Sequence, residues 1–306
     1  MQPKLEQSTV VITGASSGFG RGAALKLASL GAKVIISARR MDVLEEVAGE
    51  ATSKGGFVIP VQGDVSNPTN ATKLMREALG VSRAVDIWIN NVGVGALGFF
   101  WDIPIEDHRR LVDVNLNGLI YGSHAAINQF RLQNHGILIN LGSVDSEIPL
   151  AFQSSYAATK AAVLSLGRSL NEELRIAGYD NIKTSTIMPW AVDTPWWNHA
   201  ANYTGHEPRM AAMDDPSIVV DAIVEACSNP KEEIPVGWKA GVSTTSHRLF
   251  PGLTERLTAN TAAKEITKAE LLPPHTGSLF EPMPEGTTIE GGIRQRMRKE
   301  DGQKCL

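Results

Sequence analysis

The sequence predicts an α/β fold in which about seven parallel strands form one doubly wound sheet, with helices on both faces and a C-terminal extension. Three observations lead to this prediction: β-branched runs recur along the chain, apolar residues between them are spaced as in helices, and this alternation fades near Pro235. The 306 residues, of which 42% are hydrophobic, suffice for one large core. We therefore expect one domain over residues 1–237 and an extension over residues 238–306.

Each strand-like run is continuously apolar, as expected for strands that are covered on both faces of a parallel sheet. In chain order the runs are TVVITG, KVIISA, FVIPVQGD, DIWINN, GILINLGS, IKTSTIMP and a weaker EIPVG. The helical runs between them include GRGAALKLASLG, NATKLMREALG and AATKAAVLSLGRSLNEELRIAG. Gly31 and Gly178 stand where two of these helices would end, because glycine readily adopts the left-handed conformation of a helix C-cap.

The extension contains a run with helical spacing that Pro251 would open, then a proline- and glycine-rich run, PPHTGSLFEPMPEGTTIEGG, and a basic end, RQRMRKEDGQK. We expect the extension to pack on the surface of the domain and to fray at its tip. A lid or a membrane-surface element is the alternative, because an amphipathic helix beside a basic segment can form either.

Composition and charge narrow the classes of function. A formal net charge of −4 gives no electrostatic reason to expect a nucleic-acid partner. The two cysteines, Cys227 and Cys305, are too few for a disulfide framework, and the seven histidines show no paired spacing of metal ligands, so we expect no metal. No apolar run approaches the roughly 20 residues of a membrane span, and the N-terminal segment lacks the order of a secretory signal, so we expect a cytoplasmic protein.

The first strand runs into a glycine-rich turn, TGASSGFGRG, where a helix begins. A helix N-terminus presents backbone N–H groups and the positive end of a dipole, and glycines let a pyrophosphate approach them closely. The spacing, Gly-x-x-x-Gly-x-Gly, differs from the common dinucleotide-binding pattern, and a glycine turn can also be a plain connection. The candidate cofactor-binding residues of this turn are Gly14, Ser16, Ser17, Gly18, Phe19 and Gly20.

The end of the second strand bears on the choice of cofactor. An acidic side chain at this position accepts a hydrogen bond from a free ribose hydroxyl and selects NAD, whereas arginine binds the 2′-phosphate of NADP. The sequence here is VIISARR, with Ala38 in place of an acid, followed by Arg39 and Arg40. We therefore expect NADP(H) to be preferred over NAD(H), although two arginines after a strand can also be ordinary solvated surface.

A serine, a tyrosine and a lysine follow the fifth strand with a spacing suited to proton transfer. In SVDSEIPLAFQSSYAATK, Tyr156 and Lys160 are four residues apart, so their side chains would lie on one face of a helix. Ser143 stands just past the end of the strand. This arrangement is one that a proton-transfer enzyme could use.

Three features in this order carry a resemblance to a known family: the glycine turn, the NNVG sequence after the fourth strand, and the trio Ser143, Tyr156 and Lys160. With them the chain resembles the short-chain dehydrogenase/reductase family over roughly residues 8–237. The resemblance implies a single Rossmann-type domain and a nicotinamide-dependent oxidoreductase. It implies that Tyr156 is the general acid/base and that Ser143 holds the substrate oxygen. Lys160 would favour the phenolate of Tyr156 and bind the nicotinamide ribose.

The resemblance also implies roles at matching positions elsewhere. Asn115 matches a fourth catalytic position and would hold a proton-relaying water, although it can also be a tolerated helix asparagine. In MPWAVDTPWW, Trp190 stands where the family has glycine, which leaves the pose of the nicotinamide ring open. Further cofactor contacts would come from Asp64 and Val65 at the adenine, Asn91 and Gly93 at the adenosine ribose, Pro189, and Thr194 at the carboxamide, besides Tyr156 and Lys160.

Aromatic residues follow two strands at the edge where open α/β sheets bind ligands. Trp190, Trp196 and Trp197 follow the sixth strand, in a substrate loop expected over residues 190–215, and residues 99–101 form a second group after the fourth strand. They suggest an apolar pocket for a hydrophobic or aromatic ketone, aldehyde or secondary alcohol. Alternatively, some of these rings close the core or bury a subunit contact.

The leading hypothesis is an NADP(H)-dependent oxidoreductase, such as a carbonyl reductase, that acts on a small molecule. A catalytically silent NADPH-binding or regulatory protein of the same fold is the alternative, and Trp190 favours it. A sugar-nucleotide epimerase or dehydratase is a third candidate, but it would have another glycine spacing and a larger substrate domain. Because related enzymes assemble through long helices, we expect a homodimer or homotetramer with Leu164, Leu166 and Leu170 as candidate contacts.

Overall fold

The computed structural model describes residues 5–303. Within this range the strands are β1 (Thr9–Thr13), β2 (Lys33–Ala38), β3 (Phe57–Gln62), β4 (Ile87–Asn90), β5 (Ala96–Leu97), β6 (Gly136–Leu141), β7 (Ile182–Pro189), β8 (Ala201–Asn202) and β9 (Glu233–Val236). Seven of these strands form a wholly parallel sheet in the order β3-β2-β1-β4-β6-β7-β9, and β5 pairs with β8 in a separate sheet. The predicted doubly wound parallel sheet is confirmed.

Helices lie between the strands and after the last one. They are α1 (Gly18–Ser29), α2 (Met41–Ser53), α3 (Pro68–Val81), α4 (Ile105–Val112), α5 (Gly118–Gln133), α6 (Ser154–Ile176), α7 (Trp196–His199), α8 (Ser217–Ala226), α9 (Gly237–Leu249), α10 (Pro251–Ile266) and α11 (Ile293–Gln303). A π-helical turn, Asp113–Asn117, precedes α5, and a 3₁₀ turn, Val144–Ser146, follows β6. Gly31 and Gly178 have φ of +84° and +77° just after α1 and α6, so the two predicted C-caps are confirmed.

The strands are continuously apolar because each contributes to two hydrophobic cores. Successive side chains of a strand point to opposite faces of the sheet. In β1, Val10 and Ile12 pack with residues of α1, α2 and α8, whereas Val11 packs with residues of α3 and α5. All three side chains are fully buried. Helices therefore cover both faces of the sheet, as the apolar runs predict.

The strand order reverses at β1, and this reversal positions the site. The chain runs outward from β1 through β2 to β3, and then crosses to β4 on the other side of β1. Loops that leave the carboxyl ends of β1 and β4 therefore diverge and open a crevice, which is the usual ligand site in open parallel sheets. The glycine turn and the NNVG sequence both enter this crevice.

The C-terminal extension folds back over the domain. Pro251 begins α10 as predicted, and most of the basic end forms α11. Between these helices the chain crosses the carboxyl edge of the sheet as an irregular segment. The buried Arg209 joins α10 to α11 by ion pairs with Glu265 and Glu300. The fraying of the tip stays a prediction, because the last residues of the extension, 304–306, lie outside the described residues.

One expectation about subunit contacts is wrong. Leu164 is 2% exposed in a single chain, because it packs inside the domain, so it is not available as a contact. Leu166 and Leu170 are only partly buried, and Leu170 packs against the core that contains Val11. The assembly state itself stays a prediction.

Two further features concern the chain as a whole. Cys227 is a free, buried thiol, and Cys305 lies outside the described residues. Over residues 5–303, none of the helices combines the length and the apolar character that crossing a bilayer requires.

Candidate active site

The glycine turn after β1 lets a ligand approach the backbone closely. Gly14 and Gly18 have φ of +73° and +54°, a region that residues with side chains rarely adopt. A Cβ on Gly20 would collide with the carbonyl oxygen of Gly14. Asn91, after β4, donates its amide to the carbonyl oxygens of Thr13 and Gly14 at 3.1 and 2.9 Å. These contacts hold the N-terminus of α1 at the crevice, where its N–H groups favour an anion.

One continuous cavity brings together most of the residues predicted for cofactor binding and catalysis. It extends from the glycine turn, past the ends of β2, β3 and β4, to the start of α6. The predicted residues on its wall are Gly14, Ser16, Ser17, Gly18, Phe19, Arg39, Arg40, Asp64, Val65, Asn91, Gly93, Ser143, Tyr156, Lys160, Pro189, Trp190, Thr194, Trp196 and Trp197. Gly20 and Asn115 lie behind the wall, where they shape the turn and position a loop.

The two arginines after β2 are paired with the C-terminal extension. Arg39 donates to the carbonyl oxygen of Phe280 at 2.9 Å, and Arg40 donates to that of Met283 at 2.7 Å. Arg40 also donates to the hydroxyl of Ser16 in the glycine turn at 3.2 Å. Burial lowers the pKa of both guanidinium groups from the ordinary value. The alternative that they are ordinary solvated surface is therefore wrong.

Asp64, after β3, fixes the neighbouring loop through an ion pair. Its carboxylate accepts hydrogen bonds from Arg110 at 2.5 Å and from the hydroxyl of Ser66 at 2.8 Å. Burial alone would raise the pKa of Asp64, but the hydrogen bonds from Arg110 and Ser66 lower it below the ordinary value. Arg110 lies on α4, five residues before Asn115, and sequence analysis did not predict that it would line the cavity.

Helix α6 positions Tyr156 and Lys160 one turn apart, as their spacing predicts. Lys160 Nζ lies 5.6 Å from the centre of the Tyr156 ring and donates to the carbonyl oxygen of Leu141 at 2.6 Å. Ser143 caps the 3₁₀ turn after β6, where its hydroxyl accepts from the backbone N–H of Asp145 at 3.1 Å. The end of β6 thus supports both the lysine and the serine.

Burial and neighbouring charges set the pKa values of Tyr156, Lys160 and Asp145 at this end of the cavity. Burial raises the pKa of Tyr156 above its ordinary value and the Asp145 carboxylate raises it further, while a hydrogen bond from Ser143 lowers it. Burial lowers the pKa of Lys160 to about 8, against the effect of Asp145. The phenol is therefore protonated at neutral pH, which suits a proton donor, and it needs added positive charge to serve as a base.

Asp145 is a cavity residue that sequence reasoning missed. It is 7% exposed, and burial raises its pKa to about 7, against the effect of Lys160. A sequence signal was present, because Asp145 is a carboxylate only two residues after Ser143. His199, inside the expected substrate loop, and Met283, far from every motif, also line the cavity without having been predicted as site residues.

Asn115 lies in the π-helical turn, and its side chain fastens a loop. Its amide oxygen accepts from the backbone N–H of Val94 at 2.8 Å, and its NH₂ group donates to the Val94 carbonyl at 2.9 Å and to the Thr159 hydroxyl at 3.2 Å. These bonds tie the segment after β4 to α6. The alternative of a merely tolerated helix asparagine is therefore wrong, whereas the water relay stays a prediction.

The tryptophans after β7 take different positions on the cavity wall. Trp196 packs on Tyr156 with ring centres 5.1 Å apart, and it covers Gly95, where a Cβ would collide with the indole. Trp197 is 7% exposed and donates to a backbone carbonyl at 3.0 Å, so it also closes a local core. The indole N–H of Trp190 is buried and has no hydrogen-bond partner in the described chain. Because this nitrogen is buried, the indole ring rather than its N–H lines the cavity.

The second aromatic group does not line this cavity. Phe99, Phe100 and Trp101 are 49, 57 and 76% exposed, and the rings of Phe99 and Trp101 stack with centres 4.9 Å apart. They lie outside this cavity, and the Phe99 ring packs on that of Phe152, just before α6, with centres 4.9 Å apart. The expectation that this group contributes to the pocket is wrong.

The loop after β7 lies close to the glycine turn. Thr194 is 5% exposed, and its Cβ is 3.7 Å from the place that a Cβ on Gly18 would occupy. On the opposite loop, a Cβ on Gly93 would lie 3.3 Å from Lys160 Nζ. Small residues thus keep the space between the turn and the catalytic groups open. The glycine cradle and the arginines together fit a nicotinamide dinucleotide.

Comparisons of sequence agree with this geometry. Residues 8–203 match the family model described as short chain dehydrogenase. The chain is 34% identical to the uncharacterized oxidoreductase YxnA of Bacillus subtilis over 257 residues. The aligned residues make up 83% of this chain and 72% of the relative. It is 32% identical to an uncharacterized oxidoreductase of Staphylococcus haemolyticus over 227 residues, and this alignment covers 74% of this chain and 94% of the relative.

Solved structures of short-chain dehydrogenases are also similar to this chain. A short chain dehydrogenase/reductase from Burkholderia phymatum in complex with NAD is similar with a TM-score of 0.72 and 26% identity, over 85% of this chain and 98% of that one. A short-chain dehydrogenase from Streptomyces avermitilis is similar with a TM-score of 0.70 and 25% identity, over 83% of this chain and 96% of that one. The chain therefore belongs to the short-chain dehydrogenase/reductase family and is an oxidoreductase of that family.

Proposed function

We propose that this protein is an NADP(H)-dependent oxidoreductase that interconverts a carbonyl and an alcohol, with Tyr156 as general acid/base. The observation that carries the proposal is that Tyr156, Lys160 and Ser143 line the same cavity as the glycine turn. One end of the cavity offers an anion-binding helix N-terminus, and the other offers groups that can transfer a proton. A nicotinamide dinucleotide with a carbonyl substrate beside it suits both ends.

The residues of this chain would divide the reaction as follows. When bound, the cofactor would supply a hydride to the carbonyl carbon, or accept one from the alcohol carbon. Ser143 would hold the substrate oxygen by donating its hydroxyl hydrogen, and Tyr156 would give its phenolic proton to that oxygen during reduction. One hydride and one proton thus convert C=O to CH–OH. In oxidation, Tyr156 would take the proton back, and the charge of Lys160 would favour the phenolate.

The preference for NADP(H) rests on Ala38, Arg39 and Arg40 at the end of β2. No acidic side chain stands there to accept from a free 2′-hydroxyl, and two guanidinium groups that could bind a 2′-phosphate line the cavity there. The Burkholderia phymatum neighbour is in complex with NAD, so the preference needs a test of its own. Titrations should show NADPH binding at least about tenfold more tightly than NADH, as for one charge-assisted hydrogen bond. Equal affinities would contradict the preference.

The substrate class follows from the wall beyond the catalytic groups. Trp196, Trp197, Leu150 and Met210 line this part of the cavity, and all four carry large apolar side chains. Such a wall favours a hydrophobic or aromatic ketone or aldehyde over a sugar or a phosphorylated metabolite. Replacing Trp196 with alanine should improve the relative kcat/KM of large substrates. An unchanged ratio of large to small substrates would contradict this role.

The test of the function follows nicotinamide absorbance in the purified protein. NADPH is supplied with a panel of apolar ketones and aldehydes, and NADP with the matching alcohols. We expect substrate-dependent oxidation of NADPH by some members of the panel. Demonstrated NADPH binding without turnover of any member would instead support the catalytically silent binder, for which the Trp190 position was the motivating feature.

A further inference from the structure

The irregular segment between α10 and α11 crosses the cavity in front of the glycine turn. We call residues 278–290 of this segment the strap. The backbone N–H of Gly18, at the start of α1, donates to the carbonyl oxygen of Thr288 at 2.9 Å. The guanidinium of Arg21 donates to the carbonyl oxygen of Thr287 at 3.0 Å. The strap therefore contacts the helix N-terminus that we assign to the cofactor.

Three arginines at this edge also donate hydrogen bonds to the strap. Every acceptor is a backbone carbonyl oxygen of the strap. Arg39 donates to Ser278, Leu279 and Phe280 at 2.5, 3.4 and 2.9 Å, Arg40 donates to Met283 and Glu285 at 2.7 and 3.1 Å, and Arg110 donates to Leu279 at 2.9 Å. Hydrogen bonds from charged donors are stronger than those between neutral groups. The cations at the cofactor edge thus hold the strap in place.

The strap forms a wall of the cavity and does not fill it. Ser278, Pro282 and Met283 line the same cavity as Gly14 and Tyr156. The space between the glycine turn and the catalytic groups therefore stays continuous behind the strap. A ligand that spans these two ends would lie between the strap and the sheet.

Both ends of the strap are fastened to the loop after β7 and to α7. The backbone N–H of Ser278 donates to the carbonyl oxygen of His199 at 2.8 Å. Gly291 N–H donates to the Asp193 carbonyl at 3.1 Å, and Ile293 N–H donates to the Asp193 carboxylate at 2.8 Å. A segment that is fixed at both ends and held by polar contacts in its middle can open locally while the domain stays folded.

We propose that the strap is part of the cofactor-binding site and encloses the bound dinucleotide against the glycine turn, so that the cofactor leaves only when the strap lifts. The inference rests on the proposed function, because it requires the glycine turn to bind a dinucleotide. It assigns a binding role to residues beyond the 8–203 range of the family match. Arg39 and Arg40 would hold the strap and the cofactor at once, and opening of the strap would control cofactor release.

A strap that blocks the site would behave differently. Its carbonyl oxygens would compete with cofactor phosphates for the same donors, so loosening it would speed association and raise affinity. Loosening an enclosing strap should instead speed dissociation. Rate constants therefore distinguish the two arrangements.

Two glycines provide a matched pair of variants. Gly286 and Gly292 have φ of +69° and +76°, so alanine adds similar backbone strain at either position. A Cβ on Gly286 would collide with the imidazole of His199, whereas Gly292 has no atom within 4 Å of the corresponding place. Gly286→Ala should push the strap outward, and Gly292→Ala controls for strain alone.

The measurement is the dissociation rate of NADPH, followed by its fluorescence after the complex is mixed with excess NADP. We expect release from Gly286→Ala to be about tenfold faster than from the wild type, the effect of losing one hydrogen bond from a charged donor. Gly292→Ala should release NADPH at the wild-type rate. Arg21→Met, which removes the donor to Thr287, should accelerate release similarly and serves if Gly286→Ala does not fold.

Three other results would overturn the enclosing strap or the proposed function. Equal dissociation rates in the wild type and in the folded strap variants would overturn the enclosing strap. Faster association and tighter binding in Gly286→Ala would overturn it in favour of a blocking strap. Failure of the wild type to bind NADPH or NADH would refute the proposed function itself, and the strap's role with it.

Discussion

At the scale of single residues, the buried carboxyl group of Asp145 links protonation to folding. Burial raises its pKa from 3.8 to about 7. The folded protein therefore holds a proton that the unfolded chain releases between these two values. Stability falls with rising pH wherever the folded state binds more protons, so this group should reduce the free energy of unfolding as pH rises through that window.

Asp145→Asn should remove this contribution. Relative to the wild type, the variant should gain stability between about pH 5 and about pH 7.5, because asparagine carries no charge to bury. Urea unfolding at both pH values measures the difference. Glu147→Gln is the control, since that neighbouring carboxylate is already paired with Arg168 and Arg248. A pH dependence of Asp145→Asn identical to that of the wild type would contradict the raised pKa.

At the scale of elements, the strand–turn–helix unit at β1 and α1 requires glycine for a steric reason. Gly20→Ala should lose NADPH binding, because its Cβ would collide with the carbonyl oxygen of Gly14 and deform the anion-binding turn. Gly49→Ala is the matched control, since Gly49 lies inside α2 with nothing within 4 Å of a Cβ. Gly49→Ala should raise the free energy of unfolding by about 0.5–1 kcal/mol and leave the affinity for NADPH unchanged. Unchanged NADPH affinity in Gly20→Ala would contradict this account of the turn.

At the scale of the whole molecule, Arg209 joins the extension to the domain. Its side chain is 1% exposed and pairs with Glu265, Glu300 and Asp301. Arg209→Met would leave Glu265 and Glu300 only their pairs with Lys268 and Arg296, so it should lower the free energy of unfolding by about 3 kcal/mol. Arg175→Met breaks an exposed pair with Glu172, which water already screens, and should leave the free energy of unfolding nearly unchanged. Similar losses in both variants, measured by urea unfolding, would contradict a special role for Arg209.

The sequence predicts the sheet and the catalytic end well because both depend on local patterns. Apolar runs specify buried parallel strands, and the four-residue spacing of Tyr156 and Lys160 places them on one helical face. The strap is different, since its acceptors are backbone carbonyl oxygens that every residue possesses. Nothing in residues 278–290 marks Arg39 and Arg40 as partners. The π-helical turn at Asn115 likewise depends on tertiary contacts.

Tyr156 is proposed to transfer the proton in a nicotinamide-dependent reaction. The most direct test of this role compares kcat/KM of the wild type and Tyr156→Phe on the best carbonyl of the panel, with NADPH affinity measured in parallel. We expect Tyr156→Phe to lose about a hundredfold to ten-thousandfold in kcat/KM and to retain NADPH affinity, because phenylalanine keeps the ring but has no proton to give. Wild-type turnover by Tyr156→Phe would contradict it.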